Sequence, residues 1–309
     1  MSTLRIAAED YLTIRRSLGF KLEKAGGLLL EFISYLEDAG ATTITTDLAV
    51  TWATKPVDVD PGWWSKRLSV VRGFARHLQA IDPTAEVPPR DLLPRRARRA
   101  TPYLFTPADI DRLMAAARSL APPLRAATAH TLIGLLAATG MRLGEALGLD
   151  RDDVDLAERL ITIRHAKRDK TRQLPLHPTV ATALCSYTQV RDQHIVRPTT
   201  AAFFVSTTTG GRLSQGFVHP VFRHLAFQAG LEPRSERCRP RPHALRHSFA
   251  VNTLIRWHRD GEDIAARLPQ LSTWLGHSDP ANTYWYLQAS PELLAVAAQR
   301  LEDGPGARP

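Results

Sequence analysis

Cysteine is nearly missing from this 309-residue sequence: Cys185 and Cys238 stand far apart, with no second metal-type pair. Neither a disulfide framework nor a zinc ribbon can therefore be the basis of the fold. Long hydrophobic runs are missing too. No apolar stretch approaches the ~20 residues of a bilayer-spanning helix, and Met1-Ser2-Thr3-Leu4-Arg5 carries no signal-peptide apolar core. The expected setting is cytoplasmic, with no membrane partner. Lysine is scarce: only six of the 40 basic residues are lysines, and Lys167 and Lys170 alone follow Lys66. Internal repeats are absent, as are low-complexity tracts outside one Pro- and Arg-rich stretch.

What is present is ordinary for a globular chain, with 44% hydrophobic and 23% charged residues. The formal charge of +9 favours a polyanionic partner, because neutralising phosphates releases condensed counterions. A chain of this length buries one large core or two moderate ones, and two domains are expected.

Residues 1–81 read as a small helical bundle, with helices over Leu4–Leu18, Ala25–Ala39 and Pro61–Leu78. The last carries an apolar stripe of Leu68, Val71, Ala75 and Leu78. Lys66, Arg67, Arg72 and Arg76 fall mostly off that stripe, a solvated face that could also contact DNA phosphates. Residues 82–101 hold four prolines and the run Arg95, Arg96, Arg98 and Arg99, and are expected to form a basic linker that tracks a phosphate backbone. From 102 to 309 a second unit begins, opened by the capping pattern Thr106-Pro107-Ala108-Asp109. Helices are expected over Pro122–Ala138, Pro178–His194, Gln215–Gly230, His243–Trp257 and Pro291–Leu301. Leu160–Arg164 and Arg172–Leu176 pair as a hairpin with Lys167 and Lys170 at its tip, and Ala202–Ser206 is a third candidate strand. Asp150, Asp152, Asp153 and Asp155 lack the glycine and glutamate of a calcium loop and read as a solvated turn.

Six residues recur in a telling order: Arg142, Lys167, His243, Arg246, His277 and Tyr286, the last nine positions after His277. Guanidinium forks suit the nonbridging oxygens of a phosphodiester under attack. A lysine can release a proton to a leaving oxygen, which an arginine cannot. Histidine titrates near neutral pH, and a phenol flanked by cations can serve as a nucleophile. His243 and His247 also have the i, i+4 spacing of helical zinc ligands, but Ala-Leu-Arg between them supplies no glutamate base and places a cation beside the site. No metal is expected there, and His247 is read as a hydrogen-bonding support. Tyr284 and Tyr286 point roughly 200° apart on a helix, so only one can face the cradle.

The segments Ala138-Thr139-Gly140-Met141-Arg142-Leu143-Gly144-Glu145, His243-Ala244-Leu245-Arg246-His247 and Leu275-Gly276-His277-Ser278-Asp279, followed by Tyr286, resemble the tyrosine recombinase/integrase family. The resemblance covers roughly Pro102 to Leu301, and the helical first half is similar in kind to that family's core-binding domain. It implies a mainly α fold with a small antiparallel sheet, arranged as a two-domain C-shaped clamp around double-stranded DNA. It also implies a 3′-phosphotyrosyl intermediate, a free 5′-hydroxyl, and no metal, ATP or other cofactor. By the family pattern Tyr286 is the nucleophile, Arg142 and Arg246 hold the phosphate, and His243 and His277 assist. Glu145 orients the histidine and lysine. Lys167 matches the first lysine of the family's Lys-Gly-x-Lys pattern, but Arg168 replaces its glycine, so Lys170 competes for the role of general acid.

The activity implied is site-specific cutting and rejoining of DNA, for integration, excision or transposition of a mobile element. Four copies of the chain would act on two duplexes, alone or with a sister recombinase, and Ser290–Leu301 would pack at home or dock in a neighbouring protomer. Relaxation of supercoils in the manner of a type IB topoisomerase, an inactive DNA-binding accessory role and chromosome-dimer resolution are the alternatives.

Overall fold

The structure is a computed structural model that describes residues 2–94, 101–166, 170–277, 279 and 281–288. The chain divides into two compact units, Met1–Arg99 and Ala100–Pro309.

In the first unit four helices enclose one core: α1 (Thr3–Ser17), α2 (Glu23–Asp38), α3 (Thr46–Thr54) and α4 (Pro61–Leu78). Their starts are written in the sequence. Ser2, Thr45 and Asp60 each accept a backbone N–H through the side chain, and Pro61 occupies the first turn of α4. Phe32, Trp52, Leu68, Val71 and Phe74 meet at the centre.

The buried face of α4 is wider than its apolar stripe, and this corrects the expected solvated face. Arg67 and Arg72 are buried, whereas Lys66 and Arg76 are exposed. Arg67 lies over the Trp52 ring at 3.7 Å and donates to Glu31 (3.0 Å) and to the Trp52 carbonyl (3.1 Å). Arg72 donates from Nε to the Pro88 carbonyl (2.6 Å) and from Nη2 to that of Pro89 (2.7 Å). Those bonds also correct the linker. A proline-rich strand cannot pair its carbonyls as a helix does, but a buried guanidinium can take them. Ala85 enters the core and Glu86 N–H donates to the Ile44 carbonyl (2.8 Å), so residues 82–94 pack on the first unit. Arg95, Arg96, Arg98 and Arg99 lie outside the described residues.

The second unit begins with α5 (Pro107–Arg118), where Thr106 and Asp109 form a reciprocal capping box. Next come α6 (Pro123–Thr139), α7 (Leu143–Gly148) and a three-stranded antiparallel sheet of β1 (Val154–Asp155), β2 (Leu160–Ala166) and β3 (Lys170–Pro175), in that order. Ile161 pairs with Leu174 and Ala166 with Lys170. Ala202–Ser206 is not the third strand. It is a buried segment that makes only isolated bridges, Asp150 to Ala202 and Val205 to Arg212, and β1 takes the sheet edge. Asp153 is likewise no solvated turn residue: it is buried and accepts from Asp150 N–H (2.9 Å) and Arg164 Nε (2.5 Å).

Five further helices complete the described part: α8 (Pro178–His194), α9 (Gln215–Gln228), α10 (Pro242–Arg259), α11 (Ile264–Leu275) and α12 (Ala281–Gln288). The helix expected over Pro291–Leu301 lies outside the described residues. Among the described residues, no helix is long and apolar enough to cross a membrane.

Candidate active site

Two helix ends build the site. α6 stops at Gly140 (φ +62°) and α11 at Gly276 (φ +63°), both in the left-handed conformation that favours glycine. Such ends leave carbonyls without intrahelical partners and carry the negative pole of the helix dipole. Three guanidiniums take them. Arg246 donates to the carbonyls of Gly140 (2.9 Å) and Leu275 (2.7 Å), Arg142 to that of Gly276 (3.0 Å), and Arg172 to that of Trp274 (3.0 Å). Trp274 returns its indole N–H to the Thr139 carbonyl (2.8 Å), which fastens one helix end to the other.

Glu145, in the first turn of α7, is the counter-charge. Its two oxygens accept from Arg142 Nη1 (2.6 Å) and backbone N–H (2.9 Å) and from both terminal nitrogens of Arg172 (3.1 and 2.8 Å). Burial alone would raise the pKa of this carboxyl. The hydrogen bonds and charge of Arg172, with those of Arg142, outweigh burial and hold it at about 2. Arg246, 2% exposed, has its pKa lowered to about 10 by burial and then by Arg142, against a raising influence of Tyr286.

His243 stands one turn before Arg246 on α10 and is exposed. Partial burial of the ring, then the charges of Arg246, Arg241 and Arg142, bring its pKa to about 4, so the imidazole is neutral at pH 7 and free to accept a proton. The His247 ring bridges from His243 (4.7 Å between centroids) to Tyr286 (5.5 Å) and Trp285 (5.4 Å). Tyr286 is 3% exposed and lies nearly parallel to His277, at 6.1 Å and 19°. Tyr284, by contrast, is 53% exposed. The structure thus gathers Arg142, Glu145, His243, Arg246, His247, His277 and Tyr286. Lys167 lies outside the described residues, and Lys170 opens β3, paired through its backbone with Ala166.

Arg172 and Thr283 complete this arrangement without having been singled out from sequence. Arg172 alternates with Leu174 and Leu176, both buried, so period-two spacing marks it as an inward arginine. Thr283, three residues before Tyr286, is buried and bonded to His277. The arrangement offers convergent guanidiniums and imidazoles beside one buried phenol.

The model of the phage integrase family matches residues 104–292. "Putative integrase/recombinase y4rB" of Sinorhizobium fredii is 42% identical over 307 residues, covering 98% of each chain. The tyrosine recombinase XerC of Alcanivorax borkumensis is 31% identical over 74% of this chain and 70% of its own. Among solved structures, the Tn1549 transposon integrase in complex with transposon right end DNA superposes with a TM-score of 0.66 at 18% identity, over 98% of this chain and 99% of that one, a likeness of fold. The chain belongs to the phage integrase family of tyrosine recombinases.

Proposed function

We propose that the chain cuts and rejoins double-stranded DNA at specific sites through a covalent bond between Tyr286 and a 3′-phosphate. The observation that carries this reading is the buried phenol set against His277 and His247, with Arg246 close enough to shift electrostatically with it. In the forward step the Tyr286 oxygen bonds to phosphorus, the bond to the 5′-oxygen breaks, and Lys167 or Lys170 supplies the proton that makes the 5′-hydroxyl. The phenolic proton passes to His243. A phosphate in the cradle offsets the neighbouring cations, so the proton affinity of His243 rises when substrate is in place. Rejoining reverses the sequence with a 5′-hydroxyl as attacker. Rejoining requires no ATP, because the energy of the broken phosphodiester is kept in the phosphotyrosyl bond, and the arginines of the cradle supply the positive charge that a metal would otherwise bring.

The biological role proposed is integration, excision or transposition of a mobile element, in keeping with y4rB and the transposon integrase among its similar proteins. Four protomers on two duplexes would carry it out.

The test uses a duplex selected by binding from a random-sequence library and nicked beside the cleavage point, so that a short fragment bearing the freed 5′-hydroxyl is lost and rejoining is blocked. Wild type should form a denaturation-resistant adduct in EDTA without nucleotide, and Tyr286→Phe should form none. An adduct undiminished in Tyr286→Phe, or one that needs a divalent ion, would contradict the mechanism.

A further inference from the structure

We propose that Thr283 is a positioning residue that sets the tautomer of His277, and so fixes which ring nitrogen presents a proton to a phosphate; the last step rests on the function proposed above. Thr283 Oγ1 lies 2.7 Å from His277 Nδ1, and the residue is 1% exposed. Among the described residues, that ring nitrogen is the only hydrogen-bond partner of the hydroxyl. Two assignments are open. Either the hydroxyl donates to the Nδ1 lone pair, or Nδ1–H donates to the hydroxyl oxygen and leaves the hydroxyl proton buried without an acceptor. A buried donor left without an acceptor loses its hydrogen bond to water and gains none in return, so the first assignment wins. With the Nδ1 lone pair engaged, the single proton of the neutral imidazole sits on Nε2, and Nε2–H is the donor the ring has to offer.

The placement gives this bond a second consequence. Thr283 and Tyr286 are three residues apart on α12, hence on one helix face. The His277 ring lies against Tyr286 at the same time as it holds the Thr283 hydroxyl. The seating of α12 that delivers the phenol therefore also selects the donor form of His277, and an α12 that swings away releases both. The helix carries nucleophile and proton placement as one unit.

The experiment labels histidine with ¹⁵N in the full chain and reads ring-nitrogen protonation in long-range ¹H–¹⁵N spectra, with His277→Gln identifying the signals of interest. Thr283→Val removes the hydroxyl at nearly constant shape; Thr283→Ser keeps it. Wild type and Thr283→Ser should show His277 protonated at Nε2 alone, and Thr283→Val should show the Nδ1-protonated form as well. On the nicked duplex, Thr283→Val should slow adduct formation by about tenfold or more, the scale for losing a group that orients a histidine, without weakening DNA binding. Thr283→Ser should recover most of that rate. A wild-type ring protonated at Nδ1, a ring spectrum unmoved by Thr283→Val, or a serine variant as slow as the valine one would each overturn the proposal. A ring that behaves as stated in a chain forming no adduct would support the tautomer assignment and count against the catalytic reading instead.

Discussion

Arg172 and Glu145 show how much of the cradle rests on pairing within the protein itself. One carboxylate is shared between Arg172 and Arg142, and Arg172 also anchors on the Trp274 carbonyl. Removing one member of a buried pair strands the other. Arg172→Gln should cost about 3 kcal/mol in urea unfolding near pH 7, the lower end for breaking such pairs, and an undiminished unfolding midpoint would contradict the charge-sharing account. The pH dependence has a definite sign. Glu145 is depressed from 4.5 to about 2, so its contribution is complete above pH 4.5 and lost as pH falls through about 2. The deficit of Arg172→Gln should shrink across that window. His243 is depressed from 6.5 to about 4. Between those values the unfolded chain binds a proton that the folded chain does not, so stability falls as pH drops from 6.5 towards 4. His243→Gln should flatten that step in pH-dependent unfolding, and an unchanged slope would place the titration elsewhere.

At the scale of elements, the site depends on two helices ending where they do. A Cβ on Gly276 would lie 2.6 Å from Arg172 Nη1, and one on Gly140 would lie 2.4 Å from Phe249 Cδ1, both in backbone conformations that oppose a side chain. Gly276→Ala is expected to cost about 1–2 kcal/mol from left-handed strain alone. It should slow adduct formation more than it lowers stability, because it displaces Arg172 next to His277; equal effects on folding and cleavage would favour a purely structural role. The end at Gly140 was readable from the apolar run before it. α11 was not foreseen, since Pro269 interrupts its pattern and serine and threonine dilute it, yet tertiary packing of Leu268, Leu271 and Leu275 holds it. α3, only nine residues long and rich in threonine, escaped for a similar reason. Sheet pairing was legible in β2 and β3, where alternation is clear. Ala202–Ser206 misled because a buried apolar loop and a buried strand look alike in composition.

For the whole molecule, the charge of +9 and the family membership agree on a DNA partner, but the charge is not spread as its sequence suggests. Off-stripe spacing on α4 marked four cations as surface residues, and only the structure separates Lys66 and Arg76, exposed, from Arg67 and Arg72, buried on carbonyls and an aromatic ring. Lys66→Gln and Arg76→Gln should each lower the salt slope of DNA binding by about 0.9, the value for one phosphate contact, with folding unaffected. Arg67→Gln and Arg72→Gln should destabilise the first unit and leave that slope alone. The reverse pattern would show that the buried pair reaches the backbone. The motifs made the members of the site legible far better than its wiring: the residues proposed to meet the phosphate fall in recognisable segments, whereas Arg172 and Thr283 are bonded to partners more than 100 and six residues away, Trp274 and His277. The central claim is that one phenol, and not its exposed neighbour, becomes bonded to DNA. Trapped adduct digested with protease and nuclease and sequenced by mass spectrometry should carry a 3′-linked nucleotide on Tyr286; the nucleotide on Tyr284, or on any other residue, would contradict the account.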